Sequence, residues 1–262
     1  SIVDFWMGIP QDKKASISEH TILGFEYLSY NNILYRVEGY YKDFDNLLTQ
    51  KESEFETDES DTTITTNAIN EFWDTDAYAY GLELLIKKSS GRFSGWLGYT
   101  FARIFYHTPQ FGWFEPVFDR THTLNMVTNF KVNERLKMSL SLITSSGNPY
   151  TPLLGRIYTF QHNIREEINW ISSENYLVGD KNSERFQGYF RIDTGLDFTN
   201  LRIGQFEYDL YLQFVNVTNH INVFQYFHRT KTDPDTGNLM GVERRPVQMF
   251  PLIVTGGIKF EF

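Results

Sequence analysis

The sequence holds no cysteine, which excludes a disulfide framework, a thiolate nucleophile and any cysteine-ligated metal. Proline is scarce, at 8 of 262 residues. Wholly apolar runs are only a few residues long, far short of the roughly 20 that a spanning helix requires. Positive charge is in deficit: the formal net charge is −9 at pH 7, against the basic face that nucleic-acid binding favours. Ser1–Pro10 shows neither a basic start nor a small-residue cleavage site, so no signal peptide is read there. The chain is expected to be a processed protein or a piece of a longer one.

What is present is aromatic. Phe, Tyr and Trp make up 17% of the residues, with 23 Phe and 16 Tyr, at a mean hydropathy of −0.39. Many aromatics at low hydropathy suit a transmembrane β-barrel, whose strands alternate apolar and polar residues. Alternation between turn signals predicts nine strands: His20–Ser29, Ile33–Lys42, Ala77–Lys87, Phe93–Arg103, Thr121–Val132, Leu136–Thr144, Tyr189–Asn200, Phe206–Asn219 and Leu252–Phe262. In the last, Leu252, Val254, Ile258, Phe260 and Phe262 share one face; in Phe206–Asn219, Phe206, Tyr208, Leu210, Leu212 and Phe214 do.

The connections alternate in length. Short turns fall at Tyr30–Asn32, Ser89–Arg92, Asn133–Arg135 and Asn200–Gly204; long connections fall at Asp45–Thr75, Tyr106–Phe118, Ser145–Gly188 and His220–Met249. Soluble domains rarely carry several structureless loops of that length, whereas outer-membrane barrels have short periplasmic turns and long extracellular loops. With a periplasmic C-terminus every short turn falls on the periplasmic side. A β-sandwich or a lipocalin-like barrel with the apolar face turned inward is the soluble alternative, which alternation alone does not exclude.

Four segments, Tyr80–Arg103, Asp119–Pro152, Tyr189–Phe198 and Leu210–Phe224, together resemble the C-terminal part of TonB-dependent outer-membrane receptors of the Bacteroidetes type. The marks are Asp-Arg-x-His at Asp119, Ser-Gly-x-Pro-Tyr at Ser146, Arg-x-Asp-x-Gly at Arg191 and Asn-x-x-Asn at Asn216. The resemblance implies a barrel of about 22 strands around an N-terminal plug, importing scarce nutrients with energy relayed by TonB. Nine strands are too few for that wall, and bacterial single-chain barrels have even counts. Residues 17–262 are therefore expected to be its C-terminal segment, and residues 1–16 an extracellular loop leading into it. The plug and the earlier strands would lie elsewhere, on this chain or another. The final "IKFEF", with Ile258, Phe260 and Phe262, resembles the signal read by the barrel-assembly machinery. Outer-membrane lipid, TonB acting through the plug and a surface lipoprotein are the partners this implies; no cofactor is.

Aromatic and polar residues in the long connections are the candidates for ligand contact: Phe111, Trp113, Phe114, Tyr150, Arg156, Tyr158 and His162. Arg36, Glu38, Glu83, Arg191, Asp193 and Asp197 are expected on the polar face, toward the lumen and the plug. No catalytic set emerges: Asp119 and His122 are three apart and point to opposite faces of a strand. An outer-membrane hydrolase needs such a set at the rim, and the chain is read as a non-enzyme. The histidines His107, His162, His220 and His228 lack ligand spacing. The acidic stretch Lys51–Asp61 lacks the calcium-loop pattern and reads as a solvated loop, and Asp233–Asn238 reads as a turn. The alternative to a transporter is a barrel portion that anchors a surface complex.

Overall fold

The alternation read above becomes one continuous sheet in the computed structural model, which describes Ile9 and residues 13–50, 72–162, 170–204, 206–232 and 239–261. Nine long strands follow one another: β1 (Ile17–Leu28), β2 (Ile33–Gln50), β3 (Phe72–Lys88), β4 (Phe93–Thr108), β6 (His122–Lys131), β7 (Leu136–Ser145), β12 (Tyr189–Ile203), β13 (Phe206–Val215) and β16 (Ile253–Glu261). Each is hydrogen-bonded to the next in that order, and every pairing is antiparallel. The short β5 (Gly112–Phe114) adds to the rim end of β4.

All nine expected strands are present. Their ends differ, because ladder pairing carries on where alternation fades. β2 runs on to Gln50 and pairs with β3 back to Phe72, after a bulge between Phe44 and Leu47. β13 stops at Val215, since Asn216 and Asn219 both adopt positive φ and turn the chain. The long connections, expected to be structureless, also carry hairpins. These are β8 (Pro149–Tyr150) with β11 (Glu184–Arg185), β9 (Leu153–His162) with β10 (Trp170–Val178), and β14 (Val223–Thr232) with β15 (Leu239–Gln248). Lys51–Asp61 and Asp233–Asn238 lie outside the described residues.

Register makes the sheet two-faced, because directly opposed residues point the same way. One row across six strands reads Phe93, Phe130, Met138, Leu196, Leu212, Gly256; another reads Tyr35, Ile86, Leu97, Met126, Leu142, Ile192. The intervening rows are mixed or polar, as in Glu38, Glu83, Thr100, Thr123, Ser145. A one-residue slip in any strand would break both faces at once.

Nothing among the described residues covers the apolar face. Leu23 is 82% exposed and Phe25 69%, while Val254 and Ile258 are each 55%. Apart from Pro116 and Pro149, the only buried apolar side chains among the described residues are Ala77 and Ala79. Soluble monomers rarely expose a contiguous apolar patch above a few hundred Å², and this band spans nine strands. A sandwich or a lipocalin-like barrel would have put this face inside. Among the described residues the sheet has two open edges, β1 paired only to β2 and β16 only to β13.

Candidate functional site at the long-connection rim

The rim is organised by a buried carboxylate. Gly112 takes φ 65, which lets β4 reverse tightly into β5, and the Thr108 hydroxyl accepts the Phe111 amide at 3.3 Å. The chain then returns along β4 to Asp119, whose Oδ1 accepts the Ile104 amide at 3.1 Å, standing in for a strand carbonyl. Asp119 is 2% exposed, so its charge needs a close partner. Arg185 supplies it, with Nη2 at 2.5 Å from Oδ2. The same guanidinium pairs with Glu115, which also pairs with Arg103. Arg185 donates as well to the Gly147 carbonyl at 3.1 Å. Asn182, at φ 51, donates from Nδ2 to the Glu115 carbonyl at 2.7 Å. These residues clamp the β4–β5 hairpin to the connection between β7 and β12.

Beside the clamp lies a cavity of about 210 Å³. Trp73, Tyr106, Phe111, Phe114 and Phe118 line it with Thr49, Thr108, Lys181 and Asn182. Its rings meet edge to face, Phe111 on Phe114 at 6.0 Å and Tyr106 on Phe118 at 5.9 Å, the arrangement that aromatic quadrupoles favour. Lys181 holds its Nζ 5.5 Å from the Phe111 ring. Aromatic walls with a few convergent polar groups are what a small-molecule site requires. A wider depression, near 620 Å³, opens by Leu23, Phe25 and Val37 at the β1 edge; those side chains belong to the apolar face, and no polar set converges there.

A second aromatic group joins two connections. Tyr150 stacks on Phe186 at 4.5 Å, and Phe186 stacks on Tyr226 at 5.3 Å. Arg244 lies 4.1 Å from the Tyr226 ring centre, and its Nη1 donates to the Tyr150 hydroxyl at 2.5 Å. Gly147 allows this close approach: a Cβ there would fall 1.7 Å from the Phe186 carbonyl oxygen.

The sequence candidates thus separate. Phe111 and Phe114 share the cavity, and Tyr150 belongs to the stack. Trp113 packs instead on Tyr78 at 5.2 Å and on His107 at 5.0 Å, on the apolar face. Arg156, Tyr158 and His162 fall on β9, with side chains outside the described part. On the polar face Arg36 pairs with Glu26 at 2.5 Å and Arg191 with Asp193 at 3.0 Å. Glu38 stands opposite Glu83, and Asp197 opposite Lys137 and Tyr211. Ile258 and Phe260 continue the apolar face beside Leu210 and Tyr208, and Phe262 lies outside the described residues. His122 meets the Tyr99 hydroxyl at 2.8 Å and His220 packs on Phe190, while His162 and His228 have side chains outside the described part. No group of three or more metal-ligating side chains occurs among the described residues.

Sequence reasoning missed the clamp, because Asp119 and Arg185 are 66 positions apart. It flagged Asn-x-x-Asn without its purpose. Asn216 is fully buried and donates from Nδ2 to the His220 and Phe250 carbonyls at 3.0 and 3.1 Å. Asn219 accepts the Leu252 amide at 3.0 Å. Asn222 exchanges two 2.8 Å hydrogen bonds with the Phe190 backbone, acting as one more rung beside β12. The three asparagines fasten β12, β13 and β16 at the rim.

No protein-family model matches the chain, and no curated protein matches it in sequence. Among solved structures, the fold matches the ferric-catecholate import receptor Fiu of E. coli K12, in its closed form, with a TM-score of 0.54 over 96% of this chain. The chain has the fold of part of a TonB-dependent receptor barrel. Identity to Fiu is 11%, and this chain spans 29% of that chain's length. The ferric citrate transporter FecA, in its unliganded form, aligns over 93% of this chain and 31% of its own, at 10% identity and a TM-score of 0.48.

Proposed function

We propose that the chain is the C-terminal barrel segment of a TonB-dependent outer-membrane transporter of a Gram-negative bacterium. The uncovered apolar face across nine strands carries this reading, since only a lipid-facing wall leaves such a band unburied. Residues 17–262 form the wall, residues 1–16 lead into it from outside, and the C-terminus is periplasmic. Phe111, Phe114 and Tyr150, with Arg156, Tyr158 and His162 on the β9 hairpin and Trp113 beside the rim, contribute to capture of a scarce nutrient. Arg36, Glu38, Glu83, Arg191, Asp193 and Asp197 face the lumen and the plug, through which TonB acts. Ile258, Phe260 and Phe262 form the assembly signal.

The test is the intact mass of the native polypeptide that carries this sequence, extracted from outer membranes. Since the segment spans 29% of a similar receptor, a polypeptide roughly three times 30.8 kDa that co-fractionates with a plug is expected. A folded, heat-modifiable species of 30.8 kDa would withdraw the transporter mechanism and leave a small barrel that binds or anchors.

A further inference from the structure

The short-turn end of the wall carries charge of the opposite sign to the chain. The β3–β4 and β6–β7 turns are neighbours in the sheet, joined where Arg92 donates from Nε to the Lys131 carbonyl and from Nη2 to the Val132 carbonyl, both at 3.1 Å. Around them stand Lys87, Lys88, Arg92, Lys131, Arg135 and Lys137, with Glu134 and Asp197 as the nearby carboxylates. None of the six cations makes an ion pair among the described residues. Lys131 stands directly opposite Lys137, a like-charge pairing that Asp197, opposite Lys137 on its other side, offsets within the sheet. The other two short turns differ: Ser29–Asn32 is uncharged, and Arg202 is paired with Glu207.

We infer that this patch binds the phosphate headgroups of anionic phospholipids in the leaflet at the short-turn end. The placement of the cations favours lipid over a protein partner. Lys88 follows Ile86 on the apolar face, and the Arg92 guanidinium lies 5.0 Å from the centre of the Phe130 ring on that face. Aromatic rings at the edge of an apolar band with cations just beyond them mark a membrane interface, where long side chains reach the headgroups. Arg92 is held by its two backbone bonds and leaves Nη1 without a protein acceptor among the described residues. Arg135 is exposed in the adjoining turn, next to Arg92; Lys87, Lys131 and Lys137 lie on the polar face.

This inference rests on the membrane-wall reading above, and one experiment separates the two. The intact polypeptide is placed in nanodiscs of phosphatidylcholine with a minority of phosphatidylglycerol, and the lipids retained on the protein are counted by native mass spectrometry. Failure to enter nanodiscs in a folded, heat-modifiable form would sink the wall reading itself. With insertion achieved, about a fivefold enrichment of phosphatidylglycerol is expected, the effect of one interfacial cation, and it should vanish in molar salt. Lys88→Gln with Arg135→Gln should abolish most of it, whereas Lys131→Gln with Lys137→Gln should leave it intact. Equal retention of the two lipids by the unmodified protein overturns the inference, as does enrichment that survives molar salt. Loss of enrichment in the Lys131/Lys137 variant alone also overturns it, and assigns the cations to a lumen-side acidic partner.

Discussion

The two ends of the wall solve the same problem by different means. At the short-turn end the chain reverses by local geometry. Asn32 and Asn200 take the left-handed conformation at φ 55 and 57, and the Asn133 side chain accepts the amides of Arg135 and Leu136 in its own turn, both at 2.8 Å. At the opposite rim, long connections are tied by distant side chains: Arg185 to Asp119 and Glu115, Asn216 to Phe250, Asn222 to Phe190. A turn of a few residues has few conformations to suppress. A connection of thirty needs anchors along its length, since closing its ends alone leaves the middle free. The rim therefore spends its charges internally, and the short-turn end leaves its cations for the surroundings.

Substitutions can break that contrast. Asp119→Leu removes one of the two carboxylates on Arg185 and the acceptor of the Ile104 amide, and should destabilise by about 3–4 kcal/mol. Urea unfolding in detergent would read it, and a change under about 0.5 kcal/mol would show that the clamp contributes nothing. Leu84→Arg, in mid-strand on the apolar face, should lose about 2–4 kcal/mol in lipid, while Glu83→Gln one residue away should be mild. Equal effects of the two on folding into liposomes would mean that the faces are assigned the wrong way round. Asn216→Gly keeps the positive φ but removes the rim hydrogen bonds, so roughly 2–3 kcal/mol is expected, with faster proteolysis between β13 and β16. Resistance equal to the parent's would contradict the fastening role. Asn32→Ala should forfeit only about 1–2 kcal/mol, the strain of a left-handed alanine, and Asn32→Gly should restore it; no rescue by glycine would point to the side chain instead. Arg202→Gln breaks an exposed pair, 73% and 45% accessible, and should stay within about 0.5 kcal/mol, a thermal-melt difference near the error of the measurement.

The faces were legible because the strand period is two and each strand repeats it: Leu136, Met138, Leu140 and Leu142 announce their orientation without any neighbour. Strand ends were less so. Beyond Lys42 the residues Asp43, Phe44, Asp45 and Asn46 still pair or bulge against β3, but mixed polarity there hides the ladder. The hairpins in the long connections were illegible for the same reason. The candidate site was legible only as aromatic content. Phe111 and Phe114 meet around a cavity while Trp113 between them turns to the other face, an outcome of the β5 pleat that needed β5 to be recognised. Asp119 carried no sign that it would be buried, because its partner arrives from another connection.

The sheet order equals the chain order, each strand lying against the one before it. Such a meander can be laid down hairpin by hairpin from one side, with every new strand finding its template already in place. Enlarging a connection then slows assembly little, because closure entropy grows only with the logarithm of loop length. The rim connections are thus free to lengthen and shorten by insertion and deletion, while the sequential route by which the wall is built stays the same.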